Sequence, residues 1–368
     1  AYRKHLMGNV IGTATTRKEI YDRLKSVNIF VGTISSLCNH TELFELKPID
    51  VAIIDEASQI LEPQLLPLLC ATTNANTGDY NLHECAIRKF ILIGDHKQLP
   101  AVVMQSTEQS ATDSPLLHQI GLTNCRNSMF ERLHRLQSIQ KTEGIVGMLH
   151  RQGRMHPSLS DYVNKNFYDS RLDIVPVAHQ LAPMDYVTSP TDEWCQYIGK
   201  TRMGIIDVKD DAPVNSHNKN NKKEAKIVVQ LVNTIYELYE MNGQTPDLAR
   251  RIGIITPFRA QIAMIRNLLS ESGLADTENI TIDTVERYQG SQRDIIIFST
   301  TIQQYYQLAL LSEPVITDQV CIDRKLNVAI TRARKQFFLI GNATLLRKCQ
   351  AYQDFIQYLT EGNHIFQA

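Results

Sequence analysis

Asp55 and Glu56 are adjacent carboxylates that close the apolar run Val51-Ala52-Ile53-Ile54. Two carboxylates so placed can divide labour. One holds Mg²⁺ through water, and the other orients and deprotonates an attacking water. A second apolar run, Ile91-Leu92-Ile93, ends in Gly94-Asp95, and Gln98 follows just before Leu99-Pro100. An uncharged amide on a loop stiffened by proline can hydrogen-bond both a phosphate oxygen and a water. The plain alternatives are a surface acidic pair and an ordinary polar turn. The Ala57-Ser58-Gln59 that follows the acidic pair, leading into an apolar helix, favours chemistry there.

Both runs need elements that carry them to one edge. Continuous apolar runs, rather than alternating ones, mark strands covered on both faces, as in a parallel sheet. Runs of this kind recur at 28–33 (NIFVGT), 51–56, 90–95, 203–208, 252–257, 294–300 and 337–342. Helical periodicity lies between them. Ile227, Val228, Leu231, Val232, Ile235 and Leu238 predict a helix over 222–241 that stops before Gly243, and Ile262, Ile265, Leu268 and Leu269 predict one over 258–272 that stops before Gly273. Strand–helix alternation predicts a doubly wound α/β fold. In such sheets the ligand sits at the carboxyl ends of the strands, where Asp55 and Asp95 fall. Residues 71–86 read as a polar surface insertion, and residues 171–202, with Pro176, Pro183 and Pro190, as a linking excursion.

The 368 residues suggest two or three domains, and 43% hydrophobic content is enough for real cores. The polar stretch at 138–147 is the expected boundary. No run approaches the roughly 18 apolar residues of a membrane span. The first residues show neither a signal-peptide core nor a starting Met, which is expected of a segment of a longer chain. Cys38, Cys70, Cys85, Cys125, Cys195, Cys321 and Cys349 are odd in number and scattered, with no CxxC pair. This argues against a disulfide framework or zinc site and for a reducing, cytoplasmic compartment. A net charge of −1 leaves no global basic field, so any grip on nucleic acid must come from local groups.

DEASQ (55–59) followed by GDHKQLPAVV (94–103) resembles motifs II and III of superfamily 1 helicases. LHRQGRMHPSLS (149–160) resembles the QYRMHP motif that opens their second motor domain. IGIITPFRAQ (252–261), TVERYQGSQRDIIIFS (284–299) and LNVAITRARKQFFLIGN (326–342) resemble motifs IV, V and VI. Six blocks in the right order identify the chain as a member of the 5′→3′ branch of that superfamily. This implies a P-loop NTPase with two RecA-like, doubly wound, parallel-sheet motor domains. The first, over 1–142, is incomplete, and the second covers 143–368. In the resemblance Asp55 would hold Mg²⁺, Glu56 would be the general base and Gln98 the γ-phosphate sensor. Arg154 and Arg332 would be arginine fingers across the interdomain cleft, a role that suits a planar, permanently charged guanidinium. Gln152, Gly290 and Gln292 would lie at the nucleotide. Thr33, Ser35 and Ser36 in GTISS, Thr256, Pro257 and Arg259 in motif IV, and Thr284 in motif V would hold a nucleic-acid backbone. For each hydroxyl the plain alternative is a helix cap or turn. For Arg332 it is a solvent-facing helix arginine. Asn221, Glu224 and Ala225 match a recurring family pattern that points to a structural helix start within the basic run 217–226.

Two departures stand out. No GxxxxGK[ST] loop occurs in residues 1–368; GNVIGTATTRK (8–18) lacks the Lys-Thr after its second glycine. That loop cradles the phosphates and supplies a Lys and a Mg²⁺-binding hydroxyl. The chain is therefore expected to begin after it, and by itself neither to bind ATP tightly nor to hydrolyse it. Second, the Tyr of QYRM is Gly153, and Gln292 stands where the family places a Glu at the ribose. Both point to relaxed nucleotide selectivity. The expected function is that of an ATP-dependent helicase or translocase on single-stranded DNA or RNA, using Mg²⁺ and ATP, as a monomer with no membrane partner. A non-hydrolysing binding or regulatory module that has lost its P-loop is the alternative. A two-metal nuclease built on Asp55, Glu56 and Asp95 is disfavoured, because no further acidic cluster lies at ligand spacing.

Overall fold

The computed structural model describes residues 17–41, 43–44, 47–73, 85–141, 143–186, 192–209, 219–312, 314–317 and 320–368. Five sequence expectations fall partly outside them: the glycine-containing stretch 8–18, the insertion 71–86, the boundary 138–147, the excursion 171–202 and the basic run 217–226. The chain divides into two compact units. One runs to His96 and resumes over Pro100–Val146; the other comprises Lys97–Leu99 and Gly147–Ala368.

In the first unit, β1 (Ile49–Ile54) and β2 (Ile87–Leu92) pair in parallel, with Ala52 beside Phe90 and Ile54 beside Leu92. The ladder runs one step further, since Ile93 N–H donates to Ile54 O and Ala57 N–H to Ile93 O. The helices Glu62–Leu69 and Met129–Gln140 bring Leu65 and Met129 onto Ile54 and Ala57. Arg132 and Glu62 tie these helices with two charge-assisted bonds of 2.7 and 2.6 Å, both side chains being almost fully buried. The expected double coverage fails for β1 and β2. Val51, Ile53, Ile91 and Ile93 share one face and are 42–66% exposed. Ile54 and Leu92, on the opposite face, pack with Leu65 and Met129 of the helices. The expected strand over 28–33 is also absent. Those residues have no ladder partner among the described residues, Ile29 and Val31 are exposed, and Thr33 then caps a short helix, Ile34–Cys38.

The second unit holds a six-stranded, all-parallel sheet. Its strands are β5 (Met203–Asp207), β6 (Ile252–Ile255), β7 (Thr281–Asp283), β8 (Arg293–Ser299), β11 (Ala333–Gly341) and β12 (Ile365–Gln367). Their order is β12-β5-β11-β8-β6-β7. Two short pairs accompany it: β3 (Arg151–Gln152) with β4 (Asp173–Ile174), and the hairpin β9 (Pro314–Thr317) with β10 (Val320–Asp323). Here the continuous apolar runs are covered on both faces. Ile296, Phe298, Phe337 and Leu339 enter one core with the helices Pro157–Phe167, Arg324–Thr331 and Gln350–Glu361. Their neighbours Ile295, Ile297, Phe338 and Ile340 enter the other, under the helices Lys222–Met241 and Arg259–Glu271. Successive strand residues point to opposite faces, so a strand buried on both must be apolar at every position. Among its described residues the excursion 171–202 contains two short helices, Ala178–Leu181 and Glu193–Lys200.

All seven cysteines are free thiols. No helix among the described residues is long and apolar enough to cross a membrane.

Candidate functional site

In the first unit the carboxylates stand where β1 ends. Asp55 and Glu56 are both exposed. Asp55 Oδ1 accepts from Glu56 N–H at 2.9 Å, and Glu56 adopts the left-handed conformation, with φ of 52°. Left-handed backbone in a non-glycine residue is uncommon and clusters at functional turns. Gln59, in the short helix Ala57–Gln59, donates from Nε2 to Glu56 Oε2 at 2.6 Å, which fixes that carboxylate's direction. The end of β2 is pressed against the same turn: Ser58 Oγ accepts from Asp95 N–H at 3.2 Å. Among the described residues no group of three or more His, Cys, Asp or Glu is arranged to hold a metal. One exposed carboxylate still suits Mg²⁺, which commonly takes one or two carboxylates and fills its octahedron with water and substrate phosphate. Thr33 and Ser35 are exposed and Ser36 is half-buried. Thr33 Oγ1 accepts from Ser36 N–H at 3.2 Å, so that hydroxyl serves as a helix cap.

In the second unit five candidate residues form one constellation. Gln152 Oε1 accepts from the N–H groups of Arg154 and Met155 at 3.0 and 2.9 Å, which folds the QGRM turn. Arg154 Nε donates to Gln292 Oε1 at 2.8 Å and its Nη1 to Thr331 O at 3.1 Å. Arg332 follows at the end of the helix Arg324–Thr331. It is only 3% exposed, so it does not face solvent as the plain reading of its helix expected. Its Nε donates to Val328 O at 3.2 Å, and its Nη2 to Thr331 Oγ1 at 3.1 Å and Gln98 Oε1 at 3.2 Å. The Lys97–Leu99 segment is anchored around that contact. Leu99 lies in the core, Lys97 Nζ pairs with Asp169 at 3.3 Å, and Asn327 Nδ2 donates to Lys97 O at 2.8 Å. Gly290 turns with φ of 81°, a conformation in which a side chain is strained. Gly153 faces open space, with no atom within 4 Å of where a Cβ would stand.

The remaining candidates are spread along the strand ends. Thr256 is fully buried, its hydroxyl 3.0 Å from Thr301 Oγ1. Pro257 is half-buried, Arg259 is exposed, and Thr284 is half-buried at the start of the short helix Val285–Tyr288. Sequence reading did not find the hold of Gln59 on Glu56, the Thr331 contacts, or the buried hydrogen bonds that Glu224 accepts from Ser299 and Thr301. Asn221 does cap the helix Lys222–Met241 through Glu224 N–H, as its helix-start pattern signals. No spacing rule could show that Glu224 reaches residues more than seventy positions away.

Two family models, each described as an AAA domain, match residues 11–106 and 125–344, the second covering more than half of the chain. Among curated proteins, the probable helicase MAGATAMA 3 of Arabidopsis thaliana is 28% identical over 324 residues, 86% of this chain and 33% of that protein. The regulator of nonsense transcripts 1 of Dictyostelium discoideum is 29% identical over 318 residues, 84% of this chain and 20% of that protein. The DNA replication ATP-dependent helicase/nuclease DNA2 of Xenopus laevis is 26% identical over 359 residues, 91% and 29% respectively. The chain thus spans a fifth to a third of the length of these relatives. With the six motifs in order, the parallel α/β architecture and these matches together, the chain belongs to the AAA-domain family of superfamily 1 helicases, in the group that includes the regulator of nonsense transcripts.

Proposed function

We propose that this chain carries the hydrolytic and sensing part of an ATP-driven motor on single-stranded nucleic acid. The observation that carries the reading is the bond between Gln98 Oε1 and the buried Arg332 guanidinium. It joins a neutral amide able to sense phosphate to a cation able to stabilise phosphoryl transfer, with Arg154 fixed on the neighbouring residue's carbonyl. In this reading Asp55 would hold Mg²⁺, which would offset the charge of the phosphates. Glu56, aimed by Gln59, takes the proton of the attacking water. Arg154 and Arg332 act as arginine fingers, an effect typically worth about 10³–10⁵ in rate. Gln152, Gly290 and Gln292 border the nucleotide, and the open space at Gly153 suits several bases. ATP binding and hydrolysis alternately tighten and relax the grip on the strand. That grip is made by Thr33, Ser35 and Ser36 in the first unit, and by Pro257, Arg259 and Thr284 in the second, while the fully buried Thr256 braces the turn that carries Pro257 and Arg259. The protein works as a cytoplasmic monomer.

The test is Mg²⁺-dependent ATP hydrolysis with and without single-stranded DNA or RNA. The isolated chain is expected to hydrolyse at background rate. Robust hydrolysis by it, lost in Glu56→Gln, would overturn that expectation. In the whole protein, one of the two polymers is expected to stimulate hydrolysis, and Glu56→Gln to lower it by about 10²-fold or more. Absence of hydrolysis in the whole protein, with strand binding intact, would instead favour the binding-module reading.

A further inference from the structure

At the carboxyl end of β8, Thr301 takes the left-handed conformation with φ of 63° while fully buried. For a β-branched residue this is a genuine outlier, and it persists only where the surroundings enforce it. Glu224, itself fully buried in the first turn of the helix Lys222–Met241, enforces it. Its Oε2 accepts from Thr301 N–H at 2.8 Å and from Ser299 Oγ at 2.7 Å. The carboxylate is itself braced. Asn221 Nδ2 donates to Oε1 at 3.3 Å, and Gln261 takes Asn221 N–H at 2.7 Å and donates to Ser299 Oγ at 3.2 Å. So held, Thr301 places its hydroxyl 3.0 Å from that of Thr256 at the end of β6, from which Pro257 and the exposed Arg259 lead on.

A buried carboxylate and a strained threonine both cost stability, and both sit at the sheet edge where α/β folds bind ligands. Local rules broken together at such an edge point to function rather than packing. We infer that Glu224 is a positioning residue: through Thr301 it sets the Thr256–Arg259 turn that holds the phosphate backbone of a single strand. The inference rests on the single-strand motor reading above.

The test is fluorescence anisotropy of labelled oligo-dT and oligo-U on the purified chain, with thermal melting of every variant. Wild type is expected to bind at least one polymer. Glu224→Ala releases Thr301 and is expected to weaken binding about tenfold. Thr301→Val keeps the shape, removes the hydroxyl and is expected to weaken it about threefold. Glu224→Gln retains an acceptor oxygen and is expected to stay within about twofold of wild type, a rescue that a merely structural role does not predict. If folded Glu224→Ala binds as tightly as wild type, the inference is overturned while the motor reading stands. If Glu224→Ala does not fold, Thr301→Val decides, and wild-type affinity in it overturns the inference. If folded wild type binds neither polymer, the single-strand reading fails and the inference fails with it.

Discussion

At the residue scale, the turn that presents the carboxylates depends on close approach. A Cβ at Gly94 would come within 2.8 Å of Ser58 N, a backbone atom that cannot rotate aside. Gly94→Ala must therefore push the end of β2 away from the Asp55–Gln59 turn and stretch the Ser58–Asp95 hydrogen bond. The expected cost is about 1–3 kcal/mol, typical of overpacking. It would be read as a lower midpoint in urea or on heating, and an unchanged midpoint would refute the tight approach. Gly94 looked like any Gly-Asp turn in the sequence. The reason only glycine fits belongs to Ser58, thirty-six positions earlier, and becomes visible only once β1 and β2 pair. Gln59 is a similar case. Its place after the acidic pair raised the odds of chemistry, but its direct hold on Glu56 depends on the left-handed backbone at Glu56.

At the element scale, the helix Pro157–Phe167 begins with an unusual cap. His156 Nδ1 accepts from Ser158 N–H at 3.1 Å, which requires an unprotonated nitrogen. Burial, with the nearby Arg202 charge, lowers its pKa to about 4. The unfolded chain titrates near the ordinary value of about 6.5, so between these values it binds more protons than the folded chain. The stability this cap contributes is fully present above about pH 6.5 and is lost as pH falls toward 4. His156→Asn, which caps without titrating in this range, should flatten the decline in melting temperature between pH 7 and pH 4.5. An equally steep decline in the variant would remove His156 as its cause. Elements were legible where burial on both faces forced uninterrupted apolar runs, as in β5, β6, β8 and β11. They were misread at 28–33, where an apolar run has no ladder partner among the described residues. Within 171–202 the helices are only four and eight residues long, too short to print a clear period.

For the whole molecule, a net charge of −1 leaves the proposed strand binding to few local contacts. The proposed contacts are mainly neutral hydroxyls, with Arg259 as the exposed cation among them. Affinity for oligo-dT or oligo-U is therefore expected to fall by less than about tenfold between 50 and 200 mM salt, since each neutralised phosphate on a single strand adds about −0.7 to the log–log slope. A fall of several hundredfold would reveal a basic surface that this contact set does not contain.

The sequence by itself determined the family and the parallel α/β class, and it singled out the acidic pair, the amide and the two arginines as candidates. Each of these is a local pattern: a chemical type at a fixed short spacing, or an apolar run set by burial. Only the tertiary structure decided which of them meet. Arg332 is buried against Gln98, Arg154 is fixed on Gln292 and Thr331, and Glu224 holds Thr301 beside Thr256. The physical reason is that these bonds join residues up to 234 positions apart, brought together by strand order and core packing. No local period encodes that adjacency. The paired carboxylates are a pattern of the sequence, while the partners that aim or complement the site's other groups are a property of the fold.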